Sequence, residues 1–174
     1  YPNEDPHVLV RADGRPSRTN EYWTGLCVGG GTVHMTGYAY RFKECDLRLA
    51  TLTGGIPDAE VVDWPLSYEE LVPYYDLVDA KLGISGDATA NPFDLPRRAY
   101  PVPPLGANAL ARLVDEAAAK LGLHSYPTPR AVLSQPYGTR PPCNQCGFCG
   151  DYGCENGSKS SVLSTLIPAA EATG

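Results

Sequence analysis

Apolar residues recur at the spacing of an α-helix most clearly over residues 108–121. The apolar side of this helix holds Leu110, Leu113, Val114, Ala117, Ala118 and Leu121, and the charged side holds Arg112, Asp115, Glu116 and Lys120. Gly122 follows directly, and glycine after a helix commonly takes the left-handed conformation that ends it. The pattern therefore predicts an amphipathic helix over about 108–121.

A second helical region follows Ser67. Ser67 and Glu70 form a capping box, in which the hydroxyl and the carboxylate each accept from a backbone N–H at the helix start. Pro73 cannot make the hydrogen bond of a helix interior. We therefore predict a short turn and then a second helix that starts at Pro73 and ends at Gly83. The residues expected on one face of that helix are Tyr74, Leu77, Val78, Lys81 and Leu82.

Long irregular segments separate the helices, and the chain has 18 glycines and 17 prolines without a repeating period. The predicted irregular parts are an arm over 1–24, a loop entering a short helix or strand over 25–42, and proline-rich extended stretches over 84–105 and 124–142. The best strand candidate is 130–133. A last helix is expected from about Ser160, disturbed by Pro168.

The order of these elements does not build a parallel sheet, because strands and helices do not alternate. We predict the α+β class. Irregular segments of this length are uncommon in a self-sufficient domain, so we expect them to lie against a larger structure.

Composition narrows the class of protein. The chain has 174 residues, 43% of them hydrophobic, and a formal net charge of −6. These values are typical of a folded domain, and the acidic balance argues against a broad nucleic-acid surface. No apolar run reaches the length of a membrane span, and no signal-peptide pattern opens the chain. Because the first residue is Tyr1, we interpret the chain as processed, truncated or fragmentary, with cytoplasm and periplasm both open.

Three motifs follow one another: VGGGTVH at 28–34, DWPLSYEELVPYYD at 63–76 and GCENGSKS at 153–160. Consecutive glycines indicate either a tight turn or a close approach of backbone to a ligand. In this order, the motifs resemble the middle third of a glucose-methanol-choline (GMC) oxidoreductase, a FAD-dependent family that oxidises hydroxyl groups. The resemblance extends over residues 22–174.

The resemblance implies a flavin-contacting stretch, which we call the glycine segment (residues 28–37). Its implied cofactor-binding residues are Val28, Gly29, Gly30, Gly31, Thr32, His34, Thr36 and Gly37. Thr36 and Gly37 occupy positions where many members of the family have Asn-Gly. His34 is in register with a histidine that some sugar-oxidising members bond covalently to the flavin 8α carbon. The alternative is a histidine hydrogen-bonded near the flavin ring.

The resemblance also implies an architecture: part of a two-domain GMC-type FAD oxidoreductase, without a complete Rossmann domain. The expected divisions are an irregular arm (1–24), the flavin-contacting segment (25–62), a helical and proline-rich substrate-side region (63–142), and a cysteine-rich loop leading into a helix (143–174). The remainder of the enzyme would be supplied by other sequence or chains. No catalytic role is assigned to Asp63, Glu70 or Asp76, because carboxylates beside helix starts usually cap or solvate.

Four cysteines lie within twelve residues, and we call residues 143–154 the cysteine loop. They are Cys143, Cys146, Cys149 and Cys154. Three interpretations stay open: structural thiols or disulfides, as in GMC members with a similar pattern; an iron–sulfur cluster, as in large subunits of some bacterial sugar dehydrogenases; and a zinc site. Cys27 and Cys45 are most simply buried small apolar residues.

The implied reaction is hydride transfer from the C–H of a sugar or other alcohol to flavin, with a base taking the hydroxyl proton. In the family that base is a histidine near the C-terminal end. The histidines here are His7, His34 and His124, and none lies in a matching motif, so no catalytic residue is assigned. We expect residues 1–174 alone to be inactive and to bind FAD poorly. The alternative functions are a non-catalytic metal- or cluster-binding interaction module built on the cysteine loop, and a structural or regulatory remnant of a split GMC gene.

Overall fold

The computed structural model describes residues 7–19, 25 and 27–174. The described chain combines helices and a small amount of strand with long irregular segments, in keeping with the α+β prediction. Its elements are strands β1 (His7–Val10) and β2 (Pro16–Thr19), a 3₁₀ turn (Gly30–Thr32), helices α1 (Glu44–Leu47), α2 (Leu49–Thr53), α3 (Tyr68–Leu82) and α4 (Ala109–Lys120), a second 3₁₀ turn (Val162–Ser164), and helix α5 (Leu166–Glu171).

The buried centre is built from extended segments rather than from helices. Residues 130–133 run through it, and their backbone bonds Ser85 on one side and Gly37 and Ser158 on the other. Each neighbour forms isolated bridges, so the strand predicted over 130–133 is an extended segment bonded along both edges. The buried apolar residues around it are Ile84, Val102, Ala131, Val132 and Leu133. This centre supports both the glycine segment and the residues that follow the cysteine loop.

The N-terminal arm is not wholly irregular. In its described part, β1 and β2 form an antiparallel hairpin in which Val8 lies opposite Arg18. Gly14, with φ of 76°, provides the left-handed residue of the connecting turn. The prediction of an irregular arm over 1–24 is wrong for residues 7–19. The turn at Gly14 allows two short strands to pair, although their sequences alternate only weakly between apolar and polar residues. The rest of the arm lies outside the described residues.

Helix α3 begins as predicted but does not break at Pro73. The Ser67 hydroxyl accepts from the Glu70 N–H at 3.2 Å, and the Glu70 carboxylate accepts from the Ser67 N–H at 2.8 Å. The helix then runs unbroken from Tyr68 to Leu82 and ends at Gly83 with φ of 71°. The predicted division at Pro73 is wrong. The proline removes one hydrogen bond, while the helix runs on unbroken and Asp76 and Asp79 hold it to Arg41.

The buried face of α3 also differs from the predicted one. Tyr74, Leu77 and Val78 are 67%, 53% and 48% exposed. The side turned toward the chain instead carries Asp76 and Asp79, which pair with arginines. A periodicity argument counts apolar residues and so selects the stripe that this chain leaves uncovered.

Helix α4 matches its prediction closely in its bounds. The Asn108 side chain accepts from the Ala111 N–H at 2.8 Å and caps the first turn. Its apolar residues nevertheless face solvent, with Leu110 69% and Leu113 62% exposed.

In the last region, α5 begins at Leu166 rather than near Ser160, and Pro168 is its third residue, where a missing N–H costs little. Across the described ranges, no helix has the length and apolarity needed to cross a membrane.

Replacing Pro73 with alanine is expected to stabilise α3 by about 2 kcal/mol, since the change restores one interior hydrogen bond and removes a ring clash. The measurement is the free energy of unfolding in urea. Pro168→Ala is the matched control, because Pro168 lies in the first turn of α5 and its replacement should change stability by less than about 0.5 kcal/mol. Equal effects of the two substitutions would contradict this account of Pro73.

Candidate functional site: the glycine segment and the cysteine loop

The glycine segment has one packed side and one open side. Gly29 has φ of 95°, and a Cβ there would lie 2.8 Å from the Val33 side chain and 3.0 Å from Leu163. Gly30 and Gly31 face the other way. Among the described residues, a Cβ on Gly30 would meet no atom within 4 Å, and one on Gly31 would meet the His34 Nε2 alone, at 4.0 Å. Two glycines therefore present bare backbone on a face that His34 borders.

Thr32 fixes this segment to the C-terminal part of the chain. Its hydroxyl donates to the Gly29 carbonyl at 2.6 Å and accepts from the Val162 N–H at 3.0 Å. These bonds hold the 3₁₀ turn Gly30–Thr32 against the turn Val162–Ser164. Val28, the first residue of the segment, is 67% exposed.

The last two implied cofactor residues turn toward the centre of the chain. The Gly37 carbonyl accepts from the Ala131 N–H at 2.7 Å, and a Cβ on Gly37 would lie 3.1 Å from the Val132 side chain. The Thr36 carbonyl accepts from Arg130 at 2.6 Å. Thr36 and Gly37 thus anchor the glycine segment, while Gly30, Gly31 and His34 border its open face.

Lys159 is the residue that the sequence interpretation undervalued. Its side chain is 1% exposed, and Nζ donates to the carbonyls of Met35 at 2.8 Å, Cys149 at 3.0 Å and Tyr152 at 2.6 Å. One ammonium group therefore ties the glycine segment to the cysteine loop. The GSKS motif was the available signal, although nothing local in it indicates burial.

The cysteine loop lies directly against the glycine segment. A Cβ on Gly153 would be 3.5 Å from the Val33 side chain, and one on Gly150 would be 3.9 Å from Thr36. Gly157 and Ser158 then lead back into the centre. The loop and the segment are therefore one site in this structure, although Cys143 comes 106 positions after Gly37 in the sequence.

All four cysteines of the loop are free thiols, and Cys143, Cys149 and Cys154 are half-buried. Within the described ranges, which include the whole loop, no three His, Cys, Asp or Glu side chains are placed to hold a metal ion. The iron–sulfur and zinc interpretations stay predictions that would need the thiols to converge further. Cys27 and Cys45 are exposed, so the expectation that they are buried is wrong here; on α1 it is Leu47 that faces inward.

The two half-buried thiols nearest Lys159 differ in acidity. Burial raises the pKa of Cys149, and the neighbouring Cys143 raises it further. Burial also opposes ionisation of Cys154, but hydrogen bonds from Ser158 and the Lys159 N–H outweigh it and lower the pKa of Cys154 below its ordinary value. Cys154 is therefore the more readily ionised of the two.

Thiols are titrated after the purified native protein has been denatured without a reducing agent. We expect all six cysteines of this chain to react, because all six are free thiols in the structure. Mass spectrometry after alkylation assigns each label to its cysteine. Alkylation before and after reduction provides the control. Labelling of any pair only after reduction would contradict the free-thiol description and support a disulfide in the loop. Iron or zinc released on denaturation would support a metal centre.

An arginine–aspartate cluster lies beneath α3, away from the glycine segment. Arg41 bonds Asp76 at 2.7 Å and Asp79 at 2.5 Å, and Arg97 also bonds Asp79. Burial disfavours the charged form of Arg41, but the two carboxylates outweigh it and raise its pKa. A cavity of about 190 Å³ opens beside the cluster. Because the aspartates balance the arginines, the cluster is structural in character.

The remaining sequence candidates have structural partners. Asp63 accepts from the Thr51 N–H at 3.0 Å and from the Thr51 hydroxyl, which lowers the pKa of Asp63 and caps α2. His124 Nε2 lies 2.6 Å from the Ala90 carbonyl, and its ring stacks near Tyr126. The side chain of His7 lies outside the described features.

The chain is similar to segments of several known oxidoreductases. The chain is 31% identical over 157 residues to 6'''-hydroxyparomomycin C oxidase of Streptomyces lividus, which covers 89% of this chain and 28% of that protein. It is 30% identical over 170 residues to the gluconate 2-dehydrogenase flavoprotein of Pantoea cypripedii, and that match covers 83% of this chain and 28% of that protein. It is 35% identical over 147 residues to 2-methyl-1,2-propanediol dehydrogenase of Mycolicibacterium austroafricanum, and that match covers 84% of this chain and 26% of that protein.

The chain spans about 28% of the length of the first of these relatives, and no protein-family model matches it. Its similarity is therefore to a segment of oxidoreductases that are named for sugar and alcohol substrates. This finding confirms the oxidoreductase part of the sequence resemblance. FAD, the GMC assignment and the site residues stay predictions.

Proposed function

We propose that this chain is part of an FAD-dependent oxidoreductase that oxidises a hydroxyl of a sugar or other alcohol, and that the glycine segment contacts the flavin. The observation that carries the proposal is the open face at Gly30 and Gly31, bordered by His34. A planar ring system needs a surface without Cβ atoms to approach backbone closely. The residues present therefore fit a flavin on the criterion of free space.

When bound, FAD supplies a hydride acceptor, and the chain's own residues supply position and environment. Gly30 and Gly31 leave room for close approach, and Thr32 holds their turn against Val162. His34 borders the open face, and in this proposal its ring orients the cofactor or bonds it covalently. A base in the rest of the enzyme would take the proton of the substrate hydroxyl. We assign that role to no residue of this chain.

The rest of the proposed enzyme is the expected partner of the exposed apolar faces. On α4, Leu110 and Leu113 face solvent in this chain, and on α3 so do Tyr74 and Leu77. Apolar faces of this extent are usually covered in a complete protein. Their exposure, together with relatives more than three times as long, supports a chain that works only within a larger polypeptide or assembly.

The test is anaerobic addition of sugars and alcohols to the native protein, purified with everything that accompanies it. Bleaching of a flavin band by one of these substrates, with no bleaching by the matched deoxy compound, is the expected result. The isolated chain 1–174 should neither bleach added FAD nor oxidise substrate. Flavin that no hydroxyl compound reduces would overturn the proposed reaction while leaving flavin binding intact.

A further inference from the structure

We infer that Lys159 is a positioning residue for the flavin-contacting glycine segment, and that its buried positive charge favours reduction of the flavin bound there. This inference rests on the proposed function and concerns a residue to which the sequence assigned only a place in a motif. It follows from three observations: the burial of Lys159, the lack of a carboxylate partner among the described residues, and the identity of its three acceptors.

Residues of this chain are sufficient to bury Lys159. Lys159 is 1% exposed and heads the fully buried side chains by volume among the described residues. Helices α3 and α4 leave large apolar side chains in solvent, so the chain as described buries few residues completely. A lysine is rarely buried without a partner, because moving its charge out of water is costly.

Among the described residues, Lys159 has no carboxylate partner. In the part of the chain that the structure describes, no carboxylate lies within ion-pair distance of Nζ. The three acceptors are backbone carbonyls, of Met35, Cys149 and Tyr152. An ammonium group has three N–H donors, and three carbonyl acceptors satisfy all of them, which a neutral amine with two donors would not do. Burial lowers the pKa of Lys159, and the nearby thiols of Cys149 and Cys154 oppose that effect without reversing it.

The acceptors identify what Lys159 positions. Met35 directly follows His34, and the bond to its carbonyl fixes the C-terminal half of the glycine segment. The bonds to Cys149 and Tyr152 fix the loop that packs on Val33 and Thr36. Removing the ammonium would therefore release both sides of the contact between loop and segment.

The charge has a consequence beyond positioning. Two-electron reduction of a flavin with uptake of one proton leaves a negative charge on the ring, and a nearby buried cation stabilises that form. Lys159 is held one hydrogen bond from the residue after His34. Loss of its charge should therefore lower the flavin reduction potential, whereas a purely structural role would change stability and leave the potential unmoved.

The experiment compares Lys159→Met with Arg140→Met in the native holoprotein. Lys159→Met keeps an apolar stem and removes the ammonium. Arg140 is the matched control: it is a half-buried cation that bonds Ser160 at 2.9 Å and the Leu82 carbonyl at 2.6 Å, on the side of the 158–161 segment that meets α3. Two quantities are measured for each variant: the flavin midpoint potential, by equilibration with reference dyes, and the amide hydrogen exchange of residues 29–37.

Lys159→Met is expected to disfavour flavin reduction about tenfold, a shift of about 30 mV for a two-electron couple, and to speed exchange over 29–37. Arg140→Met should leave both quantities near wild type. Wild-type values in Lys159→Met, or equal shifts in Arg140→Met, would overturn the inference. If Lys159→Met does not fold, Lys159→Gln, which keeps two donors without the charge, takes its place. A wild-type protein without flavin would instead refute the proposed function, and exchange alone would then decide the positioning role.

Discussion

Replacing Gly31 with leucine is expected to weaken flavin binding in the native protein about hundredfold, which corresponds to about 2.8 kcal/mol. In the part of the chain that the structure describes, a Cβ on Gly31 meets His34 Nε2 alone, at 4.0 Å, and no left-handed φ strains a larger residue there. The new side chain would therefore leave the chain's own packing intact. It would occupy the open face on which the proposed contact depends.

The measurements for Gly31→Leu are the FAD dissociation constant, by flavin fluorescence during titration of the apoprotein, and the thermal unfolding midpoint without flavin. Gly106→Leu is the matched control, because Gly106 is exposed and a Cβ there meets no atom within 4 Å. We expect the control to keep wild-type affinity and both variants to keep the wild-type unfolding midpoint. Wild-type flavin affinity in Gly31→Leu would show that this face does not contact the cofactor.

Replacing Arg97 with alanine is expected to lower the free energy of unfolding by about 3 kcal/mol, the range for breaking a buried ion pair from one side. The Arg97 side chain is 4% exposed and bonds Asp79, which also accepts from Arg41 at 2.5 Å. Its guanidinium lies 3.7 Å from the centroid of the Tyr100 ring and donates to the Tyr100 hydroxyl at 2.7 Å. Loss of Arg97 leaves Asp79 with one cation and Tyr100 without its stacking partner.

Arg98→Ala is the control that separates burial from mere proximity of charges. Arg98 follows Arg97 directly and lies 3.4 Å from Asp76, but its side chain is 86% exposed. Exposed pairs contribute little, so we expect a loss of less than about 0.5 kcal/mol. Both variants are measured by urea unfolding at one ionic strength. Equal losses for the two would contradict a structural role of the buried cluster.

Local signals in the sequence predicted local structure well. The capping box at Ser67 and the left-handed stops at Gly83 and Gly122 depend only on residues within one turn of the helix end, and the structure has all three. Proline was less reliable. Pro73 removes a single hydrogen bond, and α3 runs through it unbroken from Tyr68 to Leu82.

The misassigned parts depend on partners distant in the chain. Asp79 faces inward because Arg41 lies beneath α3, 38 residues earlier, and no periodicity of apolar residues reports such a partner. Lys159 is buried because carbonyls at Met35, Cys149 and Tyr152 converge on it. Backbone carbonyls leave no trace in a sequence pattern. The glycine segment was found because glycine carries its own signal, the absence of a side chain.

The most direct test of the account is the visible absorption spectrum of the native protein, purified with everything that accompanies this chain. The account predicts flavin bands near about 370 and 450 nm, from the chemistry of the proposed cofactor. An added broad shoulder would assign a cluster to the cysteine loop alongside the flavin. A colourless, fully assembled protein would contradict the central claim that the open face of Gly30 and Gly31 contacts a flavin.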